Sequence, residues 1–341
     1  MSHRDHYAAQ VAGPGQKLQV QPTDAVAPAA GQVRIDIAAT GICGADSGTV
    51  RDTEPGAGFP IVPGHEIAGT IAEIGEHVEG WRVGDRVAVG WFGGSCGHCT
   101  ACRSGDVVHC RTRQVPGLSY PGGWATTVTV PAIALARIPD DLGFAEAAPF
   151  GCAGVTTFNA VRLTTAPAGG RVAVLGIGGL GHLAVQFAAK MGYEVVAIGR
   201  GEDKRDTALQ LGASTYVDSE QRSPGQVLRE MGGAQLIIST ASSSAVLEDL
   251  VDGLAPHGQL TVIGFDAAPM TVDLGEIVAH ARTITGHLTG SPVETEAAMQ
   301  FAVTNGVRPI TEVKPLTQAA EALADQQAGK ARFRIVLTTG G

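Results

Sequence analysis

The sequence predicts two domains, a β-rich domain followed by an α/β domain with a doubly wound parallel sheet. Short segments that alternate apolar and polar residues, separated by glycine and proline, extend to about Pro149. From about residue 154, strand-like and helix-like segments alternate instead, which is typical of a parallel sheet covered by helices. The chain has 341 residues, of which 44% are hydrophobic, so it is long enough for two packed domains.

The β-rich part shows the two-residue period of half-buried strands. Residues 32–37 (QVRIDI) alternate apolar and polar side chains. Further strands are predicted over 66–74, 86–92 and 124–130. Turn sequences such as Val62-Pro63-Gly64 lie between them. We therefore expect the first domain to consist mainly of short strands.

The α/β part begins with a short buried strand, Arg171–Leu175. Apolar residues at helical spacing follow between Leu180 and Met191, and a second apolar strand covers Glu194–Ile198. The later predicted elements are strands over 215–217, 235–239, 259–263 and 283–286 and a helix over 243–252. The residues from about 286 onwards do not continue the alternation, and spacing alone does not assign them to either domain.

Charge and hydropathy narrow the range of partners. The chain carries 24 basic and 33 acidic residues, a formal net charge of −9, and no cluster of Lys or Arg, so we expect no nucleic-acid partner. No stretch is long and apolar enough for a bilayer, so no membrane partner is expected either. The first residues lack the apolar segment of a signal peptide, which favours a cytoplasmic location.

A glycine-rich turn predicts a dinucleotide site. The segment Gly176-Ile177-Gly178-Gly179-Leu180-Gly181 fits the pattern G-x-G-x-x-G, directly after a predicted strand and at the start of a predicted helix. The first glycine allows a tight turn, the second lets a pyrophosphate approach, and the third lets helix and strand pack closely. The helix N-terminus presents N–H groups to the phosphates. We therefore predict a Rossmann-type nucleotide-binding domain.

The residues after the second strand of this domain favour NADP(H) over NAD(H). NAD enzymes place Asp or Glu there to bind the ribose hydroxyls, but this chain has Gly199, followed by Arg200. Lys204 and Arg205 come one turn later and add positive charge for a 2′-phosphate. Alternatively, Arg200 is a solvated loop residue or stacks on the adenine of either cofactor. If the first interpretation holds, Gly199→Asp is expected to shift the preference towards NADH.

Four of the six cysteines lie close together in the β-rich part. Cys96, Cys99, Cys102 and Cys110 form the pattern C-x2-C-x2-C-x7-C, which suits a closed tetrahedral zinc site that fixes a loop. An iron–sulfur cluster uses similar ligands and is the alternative. His98 and His109 lie inside the same loop and can replace a cysteine as ligand. The pattern indicates a metal with a structural role.

The two remaining cysteines, Cys43 and Cys152, are far apart, and spacing alone does not join them. Either can be a small buried residue. At these positions, however, the chain resembles the zinc-containing, medium-chain alcohol dehydrogenases over essentially its whole length. The resemblance is carried by GICGAD at 41–46, PGHE at 63–66, the four-cysteine loop, GCAGVTT at 151–157 and the glycine turn at 176–181.

The resemblance implies a GroES-like β-rich catalytic domain built from both chain ends, with the nucleotide domain inserted between them. In this chain the expected division is 1–153 for the catalytic domain with the zinc loop 96–110, 154–285 for the Rossmann domain, and 286–341 for the return to the catalytic domain. It also implies a homotetramer or a homodimer.

The same resemblance implies a catalytic zinc site. Cys43, His65 and Cys152 match the zinc ligands, and together they leave a fourth position for water or substrate. Glu66 matches a carboxylate beside the zinc, and Asp46 matches an acid that orients the ligand histidine. With the four-cysteine loop, the expected content is two Zn²⁺ ions per chain.

Five further positions match the family's substrate and cofactor contacts. Trp91 matches a wall of the substrate pocket, and Thr156 matches a residue near the nicotinamide. Ile263 and Gly264 match the backbone that meets the carboxamide. Arg334 matches a basic residue that reaches the pyrophosphate.

One departure from the family concerns proton transfer. The family usually has Ser or Thr two positions after the first zinc cysteine, and many members have His five positions after it. Here the residues are Ala45 and Gly48, and neither can relay a proton. Tyr120, in a predicted pocket loop, is a candidate substitute.

These features together predict a zinc-dependent oxidoreductase that transfers a hydride between NAD(P)(H) and an alcohol, aldehyde or ketone. The missing relay keeps open a zinc-family reductase of an activated C=C or C=N bond. A non-enzymatic zinc and dinucleotide binding protein, such as a redox sensor, is the alternative from a different class, which the open zinc triad disfavours.

Overall fold

The computed structural model of the protein describes residues 6–51, 58–241, 246–264 and 268–340. Its internal contacts divide the chain into two compact units, one of Met1–Val155 with Thr289–Gly341 and the other of Thr156–Leu288. These boundaries fall within a few residues of the expected ones at 153/154 and 285/286. The C-terminal segment belongs to the first unit.

The strands in chain order are β1 (Tyr7–Gln10), β2 (Gln19–Pro22), β3 (Gln32–Ile42), β4 (Ile67–Ile74), β5 (Arg86–Val89), β6 (Thr127–Pro131), β7 (Ala136–Arg137), β8 (Arg171–Leu175), β9 (Glu194–Gly199), β10 (Thr215–Asp218), β11 (Ala234–Ser239), β12 (Leu254–Val262), β13 (Thr283–Gly286), β14 (Thr311–Pro315) and β15 (Arg334–Thr338). The α-helices are α1 (Gly44–Val50), α2 (Thr100–Arg103), α3 (Phe144–Ala147), α4 (Ala153–Arg162), α5 (Gly181–Lys190), α6 (Arg205–Gln210), α7 (Pro224–Glu230), α8 (Leu247–Asp252), α9 (Leu274–His280), α10 (Pro292–Asn305) and α11 (Ala319–Gln327).

The first unit is built around a mainly antiparallel sheet. Its strands lie in the order β14-β15-β3-β4-β5-β7, and β6 also pairs with β3. The alternation in β3 explains its place, because Val33, Ile35 and Ile37 are buried in the core while the residues between them are partly exposed. β15 pairs antiparallel with β3, which brings the C-terminal segment beside the start of the chain.

The second unit contains a parallel six-stranded sheet in the order β10-β9-β8-β11-β12-β13. The prediction of a doubly wound sheet is therefore confirmed. The direction of winding reverses between β8 and β11, and ligands of such sheets bind outside the carboxyl ends of the strands at that reversal. β8 is almost wholly buried, in agreement with its uninterrupted apolar sequence.

Several predicted boundaries differ from the observed ones. The strand predicted over 32–37 continues to Ile42, and the one predicted over 124–130 begins only at Thr127, because the Trp124 N–H donates to the Pro63 carbonyl in a loop contact (3.0 Å). The helix predicted over 243–252 falls partly outside the described residues, and the described part is α8. In the described ranges, no helix has the length and apolar character needed to span a bilayer.

The glycine turn between β8 and α5 depends on two close approaches. Gly176 has φ +88°, a conformation that side-chain-bearing residues rarely adopt. A Cβ atom on Gly181 would lie 1.8 Å from the Gly176 carbonyl oxygen, so only glycine fits at the start of α5. A Cβ atom on Gly178 would meet no atom within 4 Å, so the middle of the turn has space.

We expect Gly181→Ala to lower the free energy of unfolding of the second unit by about 1–3 kcal/mol, because the added methyl group forces the turn apart. Thermal denaturation measures the effect. Gly178→Ala is the matched control and should leave the melting temperature unchanged, since its methyl group points into open space. Equal melting temperatures for the two variants would contradict the packing argument.

Candidate active site

A buried cluster of potential metal ligands lies in the first unit. One ligand atom each from Cys43, His65, Glu66 and Cys152 lies within 4.8 Å of all the others. β3 and β4 pair antiparallel, with Thr40 opposite Ile67, so the residues after β3 and before β4 meet at the same end of the sheet. Cys152 reaches this end from the turn before α4. The fold thus brings together residues that spacing alone could not join.

The two thiols lie at the distance expected for two ligands of one ion. The sulfur atoms of Cys43 and Cys152 are 4.0 Å apart. Two thiolates on a tetrahedral zinc lie about 3.8 Å apart, given Zn–S bonds of about 2.3 Å. The hydrogen bond from the Cys152 thiol lowers the pKa of Cys43 well below its usual value, and the same contact raises the pKa of Cys152. A buried thiolate at Cys43 is the form that binds a metal.

Asp46 organises two of these ligands. Its carboxylate accepts the backbone N–H of Cys43 (2.8 Å) and pairs with Nδ1 of His65 (3.0 Å). Burial opposes protonation of His65, but Asp46 outweighs it and raises the pKa of the imidazole. The other ring nitrogen, Nε2, is buried and has no hydrogen-bond partner among the described residues, as expected for a ligand atom. Trp91 packs edge-on against the ring, with centroids 4.7 Å apart.

Glu66 and Arg334 form a buried ion pair beside the thiols. Both side chains are at most 4% exposed, and Arg334 Nη2 donates to Glu66 Oε1. Burial raises the pKa of Glu66 to about 7, although Arg334 opposes that shift. β15 holds Arg334 here because Ile335 pairs with Ile42 at the end of β3. The expected contact between Arg334 and a pyrophosphate stays a prediction, since its partner in this structure is Glu66.

The four-cysteine loop forms a second cluster in the first unit. The sulfur atoms of Cys96, Cys99, Cys102 and Cys110 lie within 4.8 Å of one another. Hydrogen bonds from backbone N–H groups lower the pKa of two of these thiols to about 7. The main donor is the N–H of His98 for Cys96 and the N–H of Cys102 for Cys99. The imidazoles of His98 and His109 are exposed and bond to the Cys96 carbonyl (2.7 Å) and to Asp106 (2.7 Å), so the sulfurs alone form the cluster.

A cavity of about 510 Å³ lies at the carboxyl ends of the strands in the second unit. The predicted cofactor residues Gly176, Gly178, Gly199, Arg200 and Lys204 line it. Its wall also includes Ser219, Thr240, Ala241 and Val246, which the sequence analysis missed. The first three directly follow β10 and β11, so the rule that ligands bind at strand carboxyl ends could have found them.

Other predicted cofactor residues also lie in the second unit, and several of them form hydrogen bonds with backbone carbonyl groups. Gly179 and Leu180 complete the turn before Gly181. The Thr156 hydroxyl donates to the Leu288 carbonyl (3.4 Å). The N–H groups of Ile263 and Gly264 both donate to the Ser239 carbonyl, at 3.0 and 3.1 Å. Their contacts with a nicotinamide stay predictions.

No hydroxyl group replaces the missing relay on α1. Ala45 and Gly48 are both partly buried on this helix. The neighbouring hydroxyl of Ser47 bonds to Gln326 (3.3 Å), and that of Thr49 donates to the Ala45 carbonyl (3.4 Å). The polar side chains of α1 that could carry a proton therefore face other partners.

Tyr120, the candidate substitute for the relay, is also engaged. Its hydroxyl donates to the Gly93 carbonyl (2.9 Å), and burial raises its pKa above the usual value. Both observations argue against Tyr120 as a proton acceptor, so the sequence-based suggestion is not supported.

Two family models match the chain. The model described as "Alcohol dehydrogenase GroES-like domain" matches residues 29–140, and the one described as "Zinc-binding dehydrogenase" matches residues 179–304. The first match includes Cys43, His65, Glu66 and the four-cysteine loop, and the second begins inside the glycine turn.

Relatives match over nearly the whole chain. "Alcohol dehydrogenase notN" of Aspergillus sp. (strain MF297-2) is 38% identical over 324 residues, 95% of each chain. "Aldehyde reductase AdhA" of Synechocystis sp. is 34% identical over 323 residues, 94% of this chain and 95% of that one. The crystal structure of CAD from Helicobacter pylori complexed with NADP(H) superposes with a TM-score of 0.88, 26% identity and 98% coverage of both chains. With both family models and these full-length matches, the chain belongs to the zinc-containing medium-chain alcohol dehydrogenases.

Proposed function

We propose that the protein is a zinc-dependent oxidoreductase that transfers a hydride between NADP(H) and an alcohol, aldehyde or ketone. Membership of the family makes it an oxidoreductase. The observation that carries the proposal is the buried cluster of Cys43, His65, Glu66 and Cys152. In it, His65 Nε2 and Glu66 Oε2 have no hydrogen-bond partner among the residues that the structure describes. Buried polar atoms without partners are costly unless a ligand satisfies them.

The cluster fits a catalytic zinc. Two thiolates and one imidazole are a ligand set that leaves a position open, and such a zinc polarises a carbonyl or alcohol oxygen as a Lewis acid. With Nδ1 donating to Asp46, the neutral imidazole would present Nε2 to the metal. Arg334 balances the negative charge of Glu66 in the buried site, which holds that carboxylate beside the thiols.

The second-unit cavity fits a dinucleotide. The open space at Gly178 admits a pyrophosphate, and the nicotinamide cofactor supplies or accepts the hydride. Arg200 and Lys204 line the cavity at the end of β9, where an NAD enzyme would carry an acid. Positive charge without a carboxylate supports a preference for NADP(H).

The substrate class follows from the family and the missing relay. Relatives are named as alcohol dehydrogenases and as an aldehyde reductase, which supports alcohols and carbonyl compounds over an activated C=C or C=N bond. Since α1 offers no group to carry an alcohol proton away, reduction of activated carbonyl compounds is the favoured direction. A reducing compartment, the cytoplasm, would keep the cysteines available as metal ligands.

The first prediction is two zinc ions per chain, one in each cluster. Elemental analysis of protein purified without added metal measures the content. Cys43→Ser should abolish turnover and keep the melting temperature, while Cys99→Ser should lower the melting temperature, because a closed site stabilises its loop. One metal per chain, or iron in place of zinc, would count against the proposal.

The second prediction concerns cofactor choice. We expect a higher kcat/KM with NADPH than with NADH. Arg200→Gln should weaken NADPH use by about tenfold and leave NADH use little changed, since it removes a charge-assisted contact to the 2′-phosphate. Arg222→Gln is the matched control, because Arg222 pairs with Glu230 on the surface. A clear preference of the unmodified enzyme for NADH would refute the assignment.

The third prediction concerns the relay. We expect slow ethanol oxidation near pH 7 and faster reduction of bulkier or activated carbonyl compounds. Ala45→Ser should raise the rate of simple alcohol oxidation, since a positioned acid–base group contributes about 10²–10⁴-fold. The control is Ser47→Ala, which removes a hydroxyl that already faces Gln326 and should change little. Fast ethanol oxidation that Ala45→Ser leaves unaltered would show that the relay is not limiting.

The fourth prediction is assembly into a homodimer or homotetramer. β13 is the edge strand of the described six-stranded sheet, and its Ile284 is 37% exposed. The adjacent α9 exposes Leu274 and Val278 at 71% and 81%. An apolar sheet edge tends to pair with another chain. Light scattering should give the mass of two or four chains. Ile284→Lys should reduce that mass, and the control Leu163→Lys should leave it unchanged. A monomer in the unmodified protein would refute this.

A further inference from the structure

Tyr216 fills the space beside Gly199 in the second unit. It lies on β10, directly opposite Ala197 of β9. Its hydroxyl lies beside Gly199, the last residue of β9. A Cβ atom on Gly199 would lie 2.3 Å from Tyr216 Oη and 3.0 Å from Cζ. Non-bonded atoms do not approach that closely, so a side chain at position 199 would overlap sterically with the phenol in its present position.

The phenol is held in this position from two sides. Its hydroxyl donates to the Gly201 carbonyl (2.7 Å), and the guanidinium of Arg205 lies over the ring, 5.0 Å from its centroid. Arg205 is itself paired with Glu202. Burial raises the pKa of Tyr216 to about 12, so the hydroxyl stays a neutral donor. Moving the ring away therefore breaks a hydrogen bond and a cation–π contact.

Residues at the end of β10 form hydrogen bonds with the backbone of the turn from Gly199 to Gly201. Asp218 accepts the Gly201 N–H (2.8 Å). The backbone and hydroxyl of Ser219 both donate to the Gly199 carbonyl, at 2.8 and 3.0 Å. The turn is fixed by its neighbours, and the side chain of Arg200 between the two glycines is exposed.

We propose that Tyr216 is a specificity-determining residue that excludes from position 199 the carboxylate with which a dehydrogenase binds the ribose hydroxyls of NAD(H). The same phenol holds the turn that presents Arg200 to the cofactor cavity. This inference rests on the proposed preference for NADP(H). It also revises the expectation from the sequence, because Gly199→Asp alone brings a side chain into occupied space and does not convert the enzyme to NADH.

The test is a double-mutant cycle with Gly199→Asp, Tyr216→Val and the combined variant. Melting temperatures and calorimetric binding of 2′,5′-ADP and 5′-AMP are measured, besides kcat/KM for NADPH and NADH. Gly199→Asp alone should lower the melting temperature and weaken both nucleotides. The decrease in melting temperature of the combined variant should be smaller than the sum of the decreases of the two single variants. The combined variant should also bind 5′-AMP about tenfold more tightly than Gly199→Asp alone.

A matched control separates exclusion from a general loss of a tyrosine. The Tyr193 hydroxyl donates to the Ala166 carbonyl (3.5 Å) before β9 begins, at the opposite end of the strand from Gly199. The effects of Tyr193→Phe and Gly199→Asp on the melting temperature should therefore be additive. If Tyr216→Val fails to fold, Tyr216→Phe with Gly199→Ala replaces it. Loss of Oη leaves Cζ at 3.0 Å as the nearest ring atom, so Tyr216→Phe should recover part of the stability lost in Gly199→Ala.

The outcomes distinguish this inference from the proposed function. Additive melting temperatures, or a full switch to NADH by Gly199→Asp alone, would overturn the role of Tyr216. Tighter binding of 5′-AMP than of 2′,5′-ADP by the unmodified protein would instead overturn the NADP(H) preference. In that case a non-additive cycle would still show that Tyr216 controls which residue position 199 can hold.

Discussion

A single buried carboxylate connects two of the segments that carry the proposed zinc ligands. Asp46 is 1% exposed and uses one oxygen for the backbone N–H of Cys43 and the other for Nδ1 of His65. The positions of Cys43 and His65 therefore depend on the same side chain, which also lies in the first turn of α1. Since a buried partner that loses its hydrogen bond costs about 1–3 kcal/mol, the arrangement resists distortion before any metal binds.

Most of the features that could be predicted from the sequence are formed by residues that are close together in the chain. The glycine turn and the four-cysteine loop are formed by residues that are close in the chain, so their spacing nearly determines their geometry. The strands of the second unit were predictable because they are buried on both faces and read as apolar runs. Strand ends were less predictable, as at Trp124, because loop hydrogen bonds decide them.

Long-range pairs depend on sheet register, which no local pattern encodes. Cys43 and Cys152 are 109 residues apart, and only the resemblance to a family joined them before the structure did. Glu66 and Arg334 are 268 residues apart and meet because β15 pairs with the end of β3. The competition between Tyr216 and position 199 likewise arises from the pairing of β9 with β10.

The four-cysteine loop has a consequence for the lifetime of the protein. Cys99 and Cys102 have their sulfur atoms 3.5 Å apart, and those of Cys96 and Cys110 are 3.6 Å apart. The pKa values of Cys96 and Cys99 are lowered to about 7, while burial raises that of Cys102 to about 11, so each close pair has one thiol that readily becomes a thiolate. Without a bound ion, an oxidant such as dissolved oxygen would convert such a pair to a disulfide. If the loop holds the proposed zinc, loss of that ion would expose the thiols to oxidation, and a chelator would speed oxidative inactivation. Stored preparations should keep their activity longest when a thiol reductant and trace zinc are supplied together.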